Sequence, residues 1–456
     1  MGDYKAIDNY LEKNMDKSLD ELAKLCAIPS IAAQNRGLDE CAELVASMLT
    51  QRGFKTEIMP SGGAPVVYAE RKGAGDRTLL FYNHYDVQPP EPIELWESPP
   101  FEATRRGGKM YARGVSDDKG HFVSRLFALD ALLAENPELP CNIKFVVEGE
   151  EEIGSVHMPP FVEKHAAMLA ADACIWEFGY VDHRDIPQQV LGMRGICYVQ
   201  LDVELLTMDV HSGLGGSIFP NAAWRLVWAL ASLKGPDERI RIPHHYDNVL
   251  PPTKRDRELA ATLPYDGDDY KSRYGVKEFL RGTKGNPDLN LQETLEPTCT
   301  ICGLTSGYQG AGSKTVLPAK ASAKVDFRLV PNQTPEEVLK NLRAHLDAEG
   351  FQDVQITHHG GEAPGRVDPD DPFIDLVVNS AKDVYGMPQQ RVPMSGGSGP
   401  NHAFLHFLKL PIAVAGLGYP GNQVHSPNEN IREDLYLKAS QHVARIVREF
   451  AASPPR

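Results

Sequence analysis

Three short apolar runs in this chain end in acids or a histidine, and a further acidic pair sits on a nearby loop. TLLFYN runs into His84-Tyr85-Asp86, NIKFVVEG into Glu150-Glu151-Glu152, and ADACIW into Glu177. The loop ARGVSDDKG sets Asp117 and Asp118 just before a helical stretch. Apolar runs of this length, separated by spans of helical period, read as buried strands alternating with helices. They predict an α/β sheet with both faces covered. In open α/β sheets, ligands bind beyond the carboxyl ends of the strands. His84, Asp86, Glu151, Glu152 and Glu177 are therefore expected along one edge, with Asp117 on a neighbouring loop.

The alternation does not run through the whole chain. Helical periodicity marks residues 8–26 and 38–51, strand character 66–71 and 78–84, a helix 118–135, and strands 142–149 and 171–176. From residue 195 the texture changes: GICYVQLDVELL reads as a longer, half-exposed strand, followed by a helix at 222–233. A stretch punctuated by Pro, Asp and Gly fills 235–298, then strand 321–330, helix 335–349 and strand 351–359. After Arg366 the first texture returns, with helix 372–385, strand 411–416 and helix 433–450. The expected organisation is one α/β domain (1–194 and 367–456) interrupted by an inserted α+β domain (195–366).

Composition excludes several classes. Lys+Arg number 47 against 62 Asp+Glu, a net charge of −15, which repels nucleic-acid backbones and anionic lipid. Neither a nucleic acid nor a membrane is an expected partner. No run reaches the ~18 uncharged apolar residues of a spanning helix, and no basic-then-apolar leader is visible. The seven cysteines are scattered, mostly in apolar runs, and read as reduced buried thiols of a cytoplasmic protein. Cys299 and Cys302 form a lone C-x-x-C without the second pair that a zinc ribbon needs. The loop from Gly307 to Lys314 nears a P-loop, but Ser313 breaks the phosphate-cradling register. His244 with His245, and His358 with His359, read as surface pairs.

Five carboxylates and an imidazole converging within ~10 Å repel one another unless protons or cations neutralise them. Mixed His and carboxylate donors suit Zn²⁺ or a similar divalent ion, and one carboxylate can bridge two such ions. A second histidine would complete the pair, and GNQVHSPNENI supplies His425 in a polar loop after the strand PIAVAG. Each cluster alone has a plainer reading as a solvated strand end. Four together favour a metal site.

Read in order, NHYDV, ARGVSDDKG, EGEEEIGS, CIWE, DVHSG, DFRLVP, GGSGP and VHSPNE resemble a family of zinc-dependent exopeptidases. That family contains carnosinases, cytosolic dipeptidases, aminoacylases, glutamate carboxypeptidases, acetylornithine deacetylase and succinyl-diaminopimelate desuccinylase. The likeness runs from about residue 20 to the C-terminus and is strongest to the carnosinase and cytosolic dipeptidase branch. It implies a mixed-sheet catalytic domain covered by helices, with an inserted α+β lid and dimerisation domain, and hence a homodimer. It also implies two divalent ions, Zn²⁺ foremost, with Mn²⁺ or Co²⁺ also suited to these ligands.

The resemblance further assigns roles. His84 and Glu177 match ligands of the first metal, His425 the histidine of the second, Glu152 a further metal ligand, and Asp117 the bridging carboxylate. The bond between Asp117 and Asp118 is expected to be cis. Asp86 matches the acid that orients the His84 imidazole, and Glu151 the general base; Glu150 is the outsider of its triplet. His211 matches a histidine that stabilises the tetrahedral intermediate in a partner's site, Arg328 an arginine for the substrate carboxylate, and Ser398 a residue bordering the substrate. The implied reaction is amide hydrolysis of dipeptides or similar small substrates by a metal-bridging water. At position 177 this chain has Glu, where the carnosinase branch carries Asp and the acylase and carboxypeptidase branches carry Glu. An N-acyl amino acid hydrolase, a carboxypeptidase and a catalytically silent metal-binding homologue therefore remain as alternatives.

Overall fold

The computed structural model describes residues 4–264 and 266–454. They form two compact units: the residues up to 191, 367–392 and those from 400 onward in one, 192–366 and 393–399 in the other. The sequence places 393–399 in the first domain. In the structure this segment joins the second unit, where Ser395 N–H donates to the Gly192 carbonyl and Arg194 N–H to that of Gly397.

The first unit is built on a six-stranded sheet. Its order is Lys55–Met59, Val66–Arg71, Asn142–Glu148, Thr78–His84, Ala173–Trp176, Ile412–Val414. The first two junctions are antiparallel and the last three parallel. The four strands joined by parallel pairing therefore end on one edge, as the apolar runs require of a βαβ arrangement. Helix Lys119–Glu135 is buried over almost its whole circumference, between the Thr78–His84 strand and helices Lys5–Cys26 and Glu433–Ala452. Such burial explains why its apolar residues are not confined to one stripe. Phe81 and Phe145 stack across adjacent strands with ring centroids 4.9 Å apart, and both are fully buried. Truncating either to Ala would cost about 3–5 kcal/mol.

The second unit carries a four-stranded antiparallel sheet in the order Thr298–Ser306, Lys320–Leu329, Gly195–Glu204, Gln355–Glu362. Along Gly195–Glu204, buried Cys197, Val199, Leu201 and Val203 alternate with half-exposed residues. The buried set packs under helices Ala222–Leu233 and Pro335–Ala348. The last strand starts later than the sequence predicts. Phe351 closes the preceding helix by donating its N–H to Leu346, with Gly350 at φ +81°, so pairing begins only at Gln355.

The 235–298 stretch holds helices Lys254–Thr262, Gly267–Tyr274 and Asp288–Leu295. The first is started by a capping box between Thr253 and Asp256. His245 is not the surface residue expected. It is buried against Phe327, neither ring nitrogen has a hydrogen-bond partner among the described residues, and burial lowers its pKa to about 4. All seven cysteines are free, six of them buried. Among the described residues, no helix is long and apolar enough to cross a membrane.

Candidate metal centre

The edge where the parallel strands end gathers the acids and histidines. His84 closes the Thr78–His84 strand, and Glu177 follows Ala173–Trp176 directly. Glu151 and Glu152 lie in the 3₁₀ turn Glu151–Ile153, which is stopped by Gly154 at φ +93°. The strand reaches that turn through Gly149, where a Cβ would strike the Tyr85 ring. Asp117 lies one residue before Asp118, the N-terminal cap of Lys119–Glu135, and the bond joining the two aspartates is cis, as expected. His425 lies in the loop leading to strand Asn430–Arg432.

Asp117 sits at the centre. Its Oδ1 is 3.0 Å from His84 Nε2 and its Oδ2 is 3.1 Å from His425 Nε2. Glu152 Oε2 lies 3.1 Å from the same His425 nitrogen. Donor atoms of Asp117, Glu152 and His425 lie within 4.8 Å of one another. Glu151 Oε2 approaches His84 Nε2 to 4.0 Å. Glu177 accepts Trp176 Nε1–H on Oε1 at 3.1 Å; its Oε2 is buried and has no hydrogen-bond partner among the described residues.

Electrostatics follow from this crowding. Burial raises the Glu151 carboxyl well above its ordinary range, and the Glu177 charge adds to it. Burial likewise raises Glu177, against the pull of His84. Hydrogen bonds that His425 donates to the Asp117 and Glu152 carboxylates lift its pKa to about 10. His84 is raised despite its burial, by Asp117 and Asp86. Burial opposes ionisation of Asp117, but the two histidines hold it well below the carboxylate range. Protons are thus retained where the acids cannot all ionise, and a divalent cation relieves the same excess of negative charge. The donors fit such an ion: imidazole nitrogens and carboxylate oxygens, with one buried oxygen of Glu177 unengaged.

The surrounding residues fix these donors. Asp86 is fully buried and faces His84 Nδ1 at 3.4 Å. Its two oxygens also accept the backbone N–H groups of Glu151 (3.2 Å) and Glu152 (3.0 Å). Gln88 donates from Nε2 to Glu152 Oε2 at 2.9 Å. Asp118 accepts the His84 N–H at 3.1 Å. Glu150 turns to His157 Nδ1, 2.6 Å away. Sequence reasoning missed Gln88 and Glu429. Glu429 stood within the VHSPNE motif, but a carboxylate that serves backbone N–H groups and a distant arginine has no spacing signature.

The remaining predicted residues lie in the second unit. Arg328 and Ser398 come together, with Nη1 donating to Ser398 Oγ at 2.9 Å and Nε to Asp326 Oδ2 at 3.1 Å. His211 is exposed, its Nδ1 accepting the Gly213 N–H at 3.0 Å.

A model of peptidase family M20/M25/M40 matches residues 80–449. The chain belongs to this family. It is a metallopeptidase, and metal ions are implied by its class. Its two units match the family's catalytic and lid domains. This M20-family peptidase is 37% identical to an M20 family metallo-carboxypeptidase from Sulfolobus solfataricus, with a TM-score of 0.91 over 96% of this chain and 99% of that one. It is 27% identical to the mouse Beta-Ala-His dipeptidase, covering 97% of this chain and 94% of the relative. The Cys-Gly metallodipeptidase of Schizosaccharomyces pombe is also 27% identical, with 98% of each chain covered.

Proposed function

We propose that this chain is a dinuclear metallo-dipeptidase that hydrolyses the amide bond of short substrates with a free carboxylate. The observation that carries the reading is Asp117, whose two oxygens each face a different histidine. His84 and Glu177 would hold one ion, Glu152 and His425 the other, and Asp117 both. Zn²⁺ suits this donor set, as do Mn²⁺ and Co²⁺. Bound there, two such ions would supply a water acidified towards neutrality and polarise the scissile carbonyl.

The chain's own residues do the rest. Glu151 takes the water's proton on its carboxylate and returns it to the leaving amine. Burial raises its proton affinity, which suits a group that must carry a proton between two steps. Asp86 keeps the His84 ring oriented. Arg328, steadied by Asp326 and Ser398, would receive the substrate carboxylate, and His211, as the family resemblance implies, would donate to the developing oxyanion in a partner chain's site. A homodimer through the second unit accords with the exposed Trp224, Val227 and Trp228 on one helix of that unit.

The mouse and fission-yeast relatives, named for dipeptides, support the dipeptide reading. Glu177 and the Sulfolobus relative, named a carboxypeptidase, favour a second one, in which longer peptides lose their C-terminal residue. A panel of dipeptides, tripeptides and N-acetyl amino acids, assayed with added Zn²⁺, Mn²⁺ or Co²⁺, separates them. Dipeptides are expected to turn over fastest; cleavage of acylated substrates alone would reject both peptidase readings.

A further inference from the structure

Four residues beyond His425 stands a carboxylate with no ligand role in this scheme. Glu429 is 0% exposed. Its Oε1 accepts the backbone N–H of Ser116 at 2.9 Å and of Asp117 at 3.0 Å. Its Oε2 accepts the Gly114 N–H at 3.0 Å and Arg113 Nη1 at 2.8 Å. Four donors on two oxygens use the full acceptor capacity of a carboxylate. The main chain repeats the link: Ala112 N–H donates to the Glu429 carbonyl at 3.2 Å, and Asn430–Arg432 pairs antiparallel with Lys109–Tyr111. The loop bearing Asp117 and the loop bearing His425 are thus two arms leaving one ladder, and Glu429 closes the gap between them.

None of the four bonds touches a donor atom of the metal cluster. They fix the backbone of residues 114–117, from which the Asp117 side chain extends. We infer that Glu429 is a positioning residue for metal binding. It holds Asp117 at the spacing from His425 that lets Asp117 face both ions, so loss of its charge weakens both metal sites together. The inference rests on the reading of Asp117 as the shared ligand. A carboxamide at 429 keeps the size but offers one acceptor oxygen, and its NH₂ faces N–H groups that need an acceptor. The Asp117 N–H and the Arg113 guanidinium then compete for what remains. A buried Arg–Glu pair is a poor source of net stability, and fixing a register is its better-attested use.

The test uses the full-length chain stripped of metal and titrated with Co²⁺ against a chromophoric chelator. Visible spectra are recorded at a temperature where circular dichroism shows each variant folded. Wild type is expected to bind two equivalents, and Asp117→Asn to weaken both. Glu429→Gln is expected to lose about 10- to 100-fold in affinity at both equivalents, the range for partners that orient metal ligands, with an altered visible band. Glu429→Asp, charged but one methylene short, is expected to fall between. Wild-type affinities and spectrum in Glu429→Gln, with Asp117→Asn impaired, would overturn the role of Glu429 and leave the site reading intact. Full binding by Asp117→Asn would overturn the site reading, and the role of Glu429 with it. Should Glu429→Gln fail to fold, Glu429→Asp decides: wild-type affinity at both equivalents rejects the inference.

Discussion

Replacing Asp86 separates what the centre owes to hydrogen bonds from what it owes to ligand orientation. Asp86 is fully buried, and its carboxylate accepts two backbone N–H groups, those of Glu151 and Glu152, while facing His84 Nδ1. Hydrogen bonds to a charged group are worth about 1.5–3 kcal/mol each. Asp86→Ala forfeits two of them, or about 3–6 kcal/mol, a large share of the roughly 5–15 kcal/mol that holds a domain folded. Asp86→Asn keeps one acceptor oxygen, so its cost should be about half. Urea unfolding of the metal-free chains measures this part alone. In the metal-loaded enzyme a second loss appears, because an unanchored imidazole and a loosened Glu151–Glu152 turn weaken the ligands by about 10- to 100-fold. The expected order in both assays is wild type, Asp86→Asn, Asp86→Ala. If Asp86→Asn unfolds at the wild-type urea concentration and binds metal with wild-type affinity, the reasoning is wrong at its root.

Further outcomes follow from the same geometry. Glu151→Gln should bind two metal equivalents yet lose about 10²–10⁴-fold in kcat, as removal of a general base does; retained turnover would exclude that role. Arg328→Ala should raise KM for a dipeptide at least tenfold but leave KM for the same dipeptide's C-terminal amide nearly unchanged, and equal effects on both would reject carboxylate recognition. His442 is buried beside Ser380 Oγ and the Val377 carbonyl, and burial lowers its pKa from 6.5 to about 4. Because the folded state disfavours the proton, this contribution is complete above pH ~6.5 and declines as the pH falls towards 4, by about 2 kcal/mol at pH 5. Urea titrations at pH 7.5 and 5 should therefore show a smaller acid loss in His442→Gln, and superimposable pH dependences would contradict the assignment.

The strands that carry the centre were legible because each is a buried apolar run. Once their parallel order is set, sidedness follows, and His84, Glu151, Glu152 and Glu177 must share an edge. His425 was legible only through its motif, because a polar loop has no period to read. The strand Thr298–Ser306 escaped notice. It lies at the edge of its sheet with Thr300, Ile301, Leu304 and Thr305 exposed, so the alternation that marks a half-buried strand is absent. His245 misled because a paired histidine in a polar stretch gives no sign of the Phe327 surface that covers it. Glu429 and Gln88 serve the main chain and a neighbouring carboxylate, and partners of that kind are known only once the fold is known.

The chain order of the donors also bears on maturation. His84, Asp117, Glu152 and Glu177 are made before the inserted unit, and His425 only after it. A nascent chain can lay down most of the first sheet, but the Ile412–Val414 strand and the loop beyond it arrive only after the inserted unit. On the proposed dinuclear reading, stable charging therefore awaits the synthesis of His425, which keeps a half-made hydrolase idle on the ribosome. Release of stalled chains ended before residue 411, followed by metal analysis, should find them without the full complement.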